Sequence, residues 1–396
     1  MNRQITLNEL PAPFKVTTTT AEGITKYDID NAYPTRMERI IDGSVTSKSS
    51  AAMLKRFLIG KGFVNPALND IVVGVDRFGR DVTLYILLGK VARSISYFAG
   101  FYIRLQYDLN LKVCGLRYEN FKHARFGELD SGDFSGKIVL YNNWDKQRSN
   151  GKVSMVNRRY TKSDWNYVDV YNANENAIRA QIAKAGEFEK WKGQVYFWFE
   201  DEAHIYPVSP VDPVLYDADT EKQISMFKNG EIRRGFFLKY IISHTEFDNQ
   251  QDADEFKEKM GKLTGGGHSV SSLVMSGEFD ENGRIKDGAN VHVEPIKQNI
   301  NDKLFGTYET STANNIRKAY NAIPQILVDY EDSKLGTTSG EALRQASEFY
   351  NTQTEDIRKN IEQSFKQIMQ NWKVDMSAES FEIEPLILGN GTTVDV

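Results

Sequence analysis

The chain has 396 residues, is 40% hydrophobic and 26% charged, and carries one cysteine and a formal net charge of -5. That length holds two or three domains or one elongated subunit, and that composition excludes a globally disordered chain. A single cysteine excludes an intrachain disulfide and a cysteine-based metal cluster, and 49 basic against 54 acidic residues excludes the broad basic excess of a protein that grips nucleic acid tightly.

Residues 1–24, rich in threonine, read as an extended arm without the continuous apolar core of a signal peptide. Helices are predicted over 34–42 and over 47–60. The second places Met53, Leu54, Phe57 and Leu58 on one face, with Ser47 or Ser49 as its cap and glycines at its end. Residues 81–99 predict another helix. No run reaches about eighteen apolar residues, so no membrane span is expected. After Gly100 the pattern switches to period two, a hairpin turning at 108–110. Strands follow at 137–141, 166–171 and 194–199, with a helix over 175–191 between the last two. Three prolines in HIYPVSPVDP (204–213) break the chain.

A helix over 214–228 comes next, with Asn229 and Gly230 as its C-cap. A strand at 236–243, a polar helix at 252–263 stopped by Gly265–Gly267, and the stretches SSLVMSG and NVHVEPI form a small α/β unit. Helix returns over 302–322 and stops at Pro324, and a polar loop covers 329–340. The final helix has the strongest pattern: Leu343, Ala346, Tyr350, Ile357, Ile361, Phe365, Ile368 and Trp372 recur mostly at three- and four-residue steps. No internal repeat is present.

No catalytic grouping is expected to assemble. EDEAH (200–204) resembles the acidic box of helicase-type ATPases, but no G-x-x-x-x-G-K-[ST] loop accompanies it, so a strand-end acidic patch is the plainer reading. His244, His268 and His292 follow no metal-ligand spacing. Gly265–Gly267 read as a turn rather than an anion cradle. No G-x-S-x-G occurs, and Cys114 sits inside an alternating strand as a small packed residue. Neither an enzyme nor a cofactor is expected.

The order of elements carries more. VSPVDP (208–213), MFKNGEIRRGFFLKY (226–240), NAIPQIL (321–327), SGEALRQASEFYNTQTEDIRKNIEQSFKQI (339–368) and the helix-then-hairpin stretch 87–125 together resemble the portal proteins of tailed bacteriophages. The resemblance runs from about Met53 to Trp372. It departs at Ile323, where the family usually has valine, and is loose over 127–192. The tail after Trp372 is short enough that any crown must be small.

The resemblance implies an α+β portal fold. It has an N-terminal arm (1–24), an α/β wing (25–212), a descending stem helix (213–229), a small α/β clip (230–296), a returning stem helix (297–324), a tunnel loop (325–340) and a C-terminal helix and tail in the wing and a minimal crown (341–396). It implies a homo-oligomeric ring, usually a dodecamer, at one capsid vertex of the virion. Double-stranded DNA is packaged and ejected through it, and it is assembled in the host bacterial cytoplasm. The implied partners are the major capsid protein or scaffold, the terminase large subunit, then the head–tail adaptor, with no membrane. The DNA-channel candidates are Asp329, Glu331, Asp332, Ser333 and Lys334, and the stem–clip candidates are Arg233 and Arg234. An acidic ring would repel DNA weakly and uniformly and let it slide. The alternatives are another virion part, such as an adaptor or minor head protein, and a nucleotide- or metal-dependent enzyme built on EDEAH.

Overall fold

Apolar side chains in this sequence recur with two periods, and each period has produced its own layer. The structure is a computed structural model. It describes residues 20–21, 23–28, 30–127, 136–142, 144, 165–200, 205–233, 240–244, 251, 254, 291–295, 302–329 and 339–389. The chain divides into two units, one built from 1–219 with 313–396 and the other from 220–312.

A two-residue pair, β1 (Thr20–Ala21) with β2 (Ile24–Thr25), opens the first unit. Helices α1 (Tyr33–Gly43) and α2 (Val45–Ile59) follow. Ser44 joins them and caps α2, its hydroxyl accepting from the Ser47 N–H at 3.0 Å. The cap is therefore Ser44, not Ser47 or Ser49. The helix starts earlier because Ser44 is extended (φ -107°, ψ 125°), the geometry that aims a side chain at free first-turn amides.

After the short α3 (Pro66–Asn69), strands β3 (Val72–Val75) and β4 (Asp81–Thr83) make a hairpin that sequence periodicity missed. Asp76 closes its turn, accepting from the N–H groups of Phe78 and Arg80 at 2.8 and 3.0 Å. Those bonds, that from Arg80 foremost, hold its carboxyl at about 2. Helix α4 thus begins only at Leu84 and runs to Phe98. The predicted helix over 81–99 loses its first three residues because Val82 and Thr83 pair with β3, while Thr83 Oγ1 accepts from the Ile86 N–H.

The main sheet has six strands: β5 (Gly100–Tyr107), β6 (Val113–Glu119), β7 (Ala124–Phe126), β8 (Lys137–Leu140), β9 (Asn166–Val170) and β10 (Gln194–Phe199). Their order is β6-β5-β10-β9-β8-β7, antiparallel except for β9 with β10. A parallel pair needs a crossover, and α5 (Glu175–Ala185) supplies it. This helix is shorter than the predicted 175–191 because Gly186 takes φ +92°.

Both sheet faces are covered. Phe101, Ile103 and Leu105 are fully buried on one. On the other, Tyr102, Phe121, Phe126, Phe197 and Tyr206 form an aromatic layer, with Phe121 on Tyr102 at 5.1 Å and Phe126 on Phe197 at 5.1 Å. Cys114 is half-buried in β6, and burial raises its thiol pKa.

Helix α6 runs over Leu215–Arg233. It passes through Gly230, which keeps a negative φ, so Asn229–Gly230 is no C-cap. Strands β11 (Tyr240–His244) and β12 (Val291–Pro295) pair antiparallel in the second unit, with His292 opposite Ser243 and His244 opposite Val291. The predicted strand over 236–243 is described only from Tyr240. The predicted polar helix, the Gly265–Gly267 turn and His268 lie outside the described residues, apart from Asp254, which is helical.

The chain returns through α7 (Asp302–Ala319), α8 (Gln325–Val328), α9 (Ser339–Gln353) and α10 (Glu355–Met369). The single long helix predicted at the C-terminus is thus two. Thr354 breaks it: its backbone takes φ -109° and ψ 3°, outside helical values, and its hydroxyl donates at 2.9 Å to the Tyr350 carbonyl, which also accepts from the Thr354 N–H at 3.1 Å.

Helix α10 seals the sheet. Tyr196 OH donates to Ser364 Oγ and Gln367 Oε1 at 3.1 and 3.0 Å, and Phe365 stands edge-on to Phe63 at 5.6 Å. Truncating fully buried Phe365 to alanine is expected to cost about 3–5 kcal/mol of unfolding free energy, read from the urea midpoint at unchanged m-value. A loss below about 1 kcal/mol would show that α10 is not part of the core.

Candidate functional site

The residues singled out for a functional loop fall around 325–340, and its two feet are described even though 330–338 are not. The N-terminal foot begins where α7 ends. Asn321 and Ala322 both take left-handed φ, +58° and +51°, which turns the chain sharply, and Ile323 N–H donates to the Arg317 carbonyl at 3.1 Å. Pro324 then prevents helix continuation, and α8 starts. Asn321 Nδ2 donates to the Gln353 carbonyl at 3.4 Å, and Tyr350 OH to the Tyr320 carbonyl at 3.0 Å. Tyr320, Ile323 and Leu327 are buried, and Tyr350 stands edge-on to Phe57 of α2 at 4.9 Å. The foot is thus fixed to α2 and α9 by packing and to α9 by hydrogen bonds.

Asp329 sits at the tip of this foot. Its Oδ2 accepts from Arg317 Nη1 at 2.8 Å, and Arg317 is buried while the Asp329 side chain is half-exposed. Arg317 also donates to Asn314 Oδ1. A planar guanidinium bonded to two acceptors orients its carboxylate closely. Asp329, read from sequence as a channel residue, is placed as the loop's tether. This pair was not legible in the sequence, since its members lie twelve positions apart across a proline. Glu331, Asp332, Ser333 and Lys334 lie outside the described residues.

The other foot is α9. Its first turn, at Gly340, is held by the C-terminal tail. Gly389 takes φ +86°, and a Cβ there would stand 2.3 Å from the Gly340 carbonyl oxygen. Leu388 N–H donates to Ser347 Oγ at 3.3 Å, and Asn351 Nδ2 to the Leu386 carbonyl at 2.7 Å. The tail is itself stitched to the segment after α2, with Lys61 N–H donating to the Glu384 carbonyl at 2.8 Å and Glu384 N–H to the Gly62 carbonyl at 2.9 Å.

The helices that leave and re-enter the first unit are linked in each unit separately. Asn315 Nδ2 donates to Asp217 at 3.4 Å in the first, and Lys228 pairs with Glu309 in the second. Arg233 is the last residue of α6, and Arg234 lies outside the described residues. Glu200 N–H donates to the Ala99 carbonyl at 2.9 Å, continuing the β10–β5 ladder, while the rest of EDEAH lies outside the described residues. Among the described residues no three His, Cys, Asp or Glu side chains converge as a metal site. A polar groove of about 930 Å³ between α10 and the tail is lined by Arg358, Glu362, Lys366 and Ser380. Arg358 there donates to Asn351 Oδ1 and Glu362 accepts from the Ile383 N–H, so both act as internal struts.

No protein-family model matches the chain, and no curated protein does. Solved structures do. A chain of the virion of a native gene transfer agent particle aligns at TM-score 0.47 and 12% identity, covering 89% of this chain and 83% of that one. A chain from the neck of the empty gene transfer agent particle aligns at TM-score 0.47 and 12% identity, covering 92% and 86%. An HK97 family phage portal protein from Corynebacterium diphtheriae aligns at TM-score 0.40 and 10% identity, covering 93% and 96%.

Replacing Asp329 by asparagine is expected to lower stability by about 1–2 kcal/mol, because the buried Arg317 guanidinium then faces a neutral amide in place of a carboxylate. The amides of Leu327 and Asp329, which donate to Pro324 and Gln325, are expected to lose hydrogen-exchange protection while the β5–β10 ladder keeps its own. Gly389→Ala is expected to raise exchange in the first turn of α9, since it meets both a steric clash and a backbone conformation costing about 1–2 kcal/mol. Unchanged exchange at both feet would show that neither contact holds the loop.

Proposed function

We propose that this chain is the portal subunit of a tailed bacteriophage, a ring component through which duplex DNA enters and leaves the capsid. The observation that carries this reading is topological. One unit, 220–312, is bracketed by two helices, α6 and α7, that leave and re-enter the other unit side by side. After α7 and α8 come residues 330–338, and the described residues on either side of them are anchored independently. That order matches the stem, clip and tunnel-loop order implied by VSPVDP, MFKNGEIRRGFFLKY and NAIPQIL.

On this reading α6 and α7 are the stem, β11 and β12 belong to the clip, and 330–338 meets the DNA. A loop that touches sliding DNA has to resist being dragged along the axis. The Arg317–Asp329 tether and the Tyr320–Tyr350 contact resist that pull on one side, and the tail against Gly340 on the other. Lys334 and Ser333 are the contacts we assign to phosphate, Lys334 as the single cation of 329–334. Arg233 and Arg234 are assigned to the stem–clip junction. The terminase large subunit, the head–tail adaptor and the capsid or scaffold protein are the partners, with the ring taken as twelve-fold.

Negative-stain electron microscopy of the purified chain is expected to give rings with a hole wide enough for duplex DNA. Monomers at every concentration up to about 100 μM would sink the reading, since ring interfaces of ordinary size persist well below that. Lys334→Glu is expected to leave the rings intact and to lower the DNA retained by assembled particles. Normal retention would remove Lys334 from the contact set.

A further inference from the structure

The chain is acidic, yet its positive charge is not spread evenly. Helix α2 (VTSKSSAAMLKRFLI) carries Lys48, Lys55 and Arg56, and α4 (LYILLGKVARSISYF) carries Lys90 and Arg93. Neither has a single aspartate or glutamate. The chain's -5 less these five positive charges leaves -10 for everything else.

The two helices pack against one another and run antiparallel. A methyl placed on Gly89 would stand 3.8 Å from Ile59 Cδ1, while at the other end Tyr97 OH donates to Asp42, three residues before α2, at 3.2 Å. Ile59 and Gly89 are both partly exposed, so this contact lies near the surface. Lys55 and Arg56 lie one turn before Ile59, and Lys90 is next to Gly89. Lys48 pairs with Asp42 at 3.4 Å and Arg93 lies 3.8 Å from Glu38. Among the described residues no ion pair involves Lys55, Arg56 or Lys90. Exposed apolar groups lie one turn from Lys90 on α4: Tyr85 is 43% exposed and Ile86 42%. A phosphate-binding surface is polar and wet. Cations set among exposed aliphatic and aromatic side chains fit a protein partner better.

The same unit holds a complement. The segment DPVLYDAD at 212–219 has Asp212, Asp217 and Asp219, no base, and Tyr216 at 47% exposure. It lies at the opposite end of α4: Ser209 Oγ donates to the Tyr97 carbonyl at 2.6 Å, and Tyr33 OH to Asp212 at 3.1 Å. From Lys90 to Tyr97 is about 10 Å along the helix axis alone. That exceeds a Debye length of about 8 Å at physiological ionic strength, so the two charged ends do not neutralise each other within one copy. They are free to do so between copies. A head-to-tail contact of one patch on a different patch of the next copy is the arrangement that closes a ring.

We propose that the α2–α4 face around Lys55, Arg56 and Lys90 docks on the acidic opening of α6 around Asp217 and Asp219 in a second copy of this chain. This rests on the ring reading above and names the surface that closes the ring.

The test is a charge swap on the full chain, followed by sedimentation velocity at 50 and 500 mM salt, with circular dichroism melts to verify folding. Lys55→Glu/Arg56→Glu/Lys90→Glu and, separately, Asp217→Lys/Asp219→Lys are each expected to raise the concentration needed for assembly at least about tenfold. The combined five-fold variant, or an equimolar mixture of the two, is expected to restore assembly to within about threefold of the original chain. Where a reversal lowers the melting temperature, the neutral set Lys55→Gln/Arg56→Gln/Lys90→Gln replaces it, with a smaller loss in the same direction expected.

If the original chain forms rings and both reversals form them equally well, or if assembly is indifferent to salt, this surface is wrong and the portal reading stands. If the swap fails to restore assembly between well-folded variants, the pairing is wrong. If the basic reversal assembles normally but loses binding to a 30-base-pair duplex in fluorescence anisotropy, the face belongs to nucleic acid and the proposal is overturned. If the original chain never assembles, this proposal and the ring fall together.

Discussion

Everything outside the main sheet depends on one closure: the last fifty described residues must return and finish the core begun by the first two hundred. Val113 N–H donates to the Asn371 carbonyl at 2.7 Å and Lys373 N–H to the Val113 carbonyl at 2.9 Å, so the chain after α10 extends the β6 edge. Phe365, Ile361 and Ile368 are fully buried by the same return. A chain that leaves this core at 219 and re-enters at 313 therefore starts and ends its excursion at fixed points. The entropy of closing so long an excursion grows only as the logarithm of its length, so the cost of a large second unit is modest once the closure is strong. The side chains that α10 buries, Ile361, Phe365 and Ile368, supply that strength, at roughly 1.5–3 kcal/mol for each large side chain removed from water.

The elements that sequence periodicity located well are those whose pattern is set by the core itself. Helix α10 shows its apolar stripe at Ile357, Ile361, Phe365 and Ile368, and β5 and β6 alternate where one face opens to water, at Arg104, Gln106 and Arg117. The errors lie where a single polar side chain decided the boundary. Ser44 and Thr83 each redirect the backbone through one hydrogen bond, Thr354 through a non-helical backbone angle, and a helix wheel does not register them. Gly230 shows the opposite failure: an Asn-Gly pair that reads as a stop is carried inside α6. Of the candidate site, the end of α7 before Pro324 was legible in the sequence. Its tethers were not. Arg317 with Asp329, Gly340 with Gly389, and Lys61 with Glu384, 323 positions apart, are products of the closure and leave no local trace.

Net charge was a poorer guide than its distribution. A value of -5 reads as uniform mild repulsion of DNA. The fold instead gathers positive charge on two adjacent helices that hold no carboxylate, and places negative charge at the opening of α6. Averages over a chain are physically meaningful only at distances long against the spacing of its charges. Within a Debye length the local sign governs, and a contact surface is read at that scale.

The same distinction separates the two tasks assigned to the proposed ring. Holding subunits together calls for contacts that are desolvated, apolar at the centre and charge-matched at the edge, and the α2–α4 face has Tyr85 and Ile86 beside its cations. Passing DNA calls for contacts that release as readily as they form, because each phosphate firmly neutralised adds a salt-sensitive anchoring term. A loop with one lysine among three acids at 329–334 meets that second requirement. Its feet must then be stiff, since a weakly attractive loop on loose supports would follow the DNA instead of bearing on it. The buried guanidinium of Arg317 beneath Asp329 and the tail pressed against Gly340 provide that stiffness. Both are consequences of the C-terminal return that completes the core.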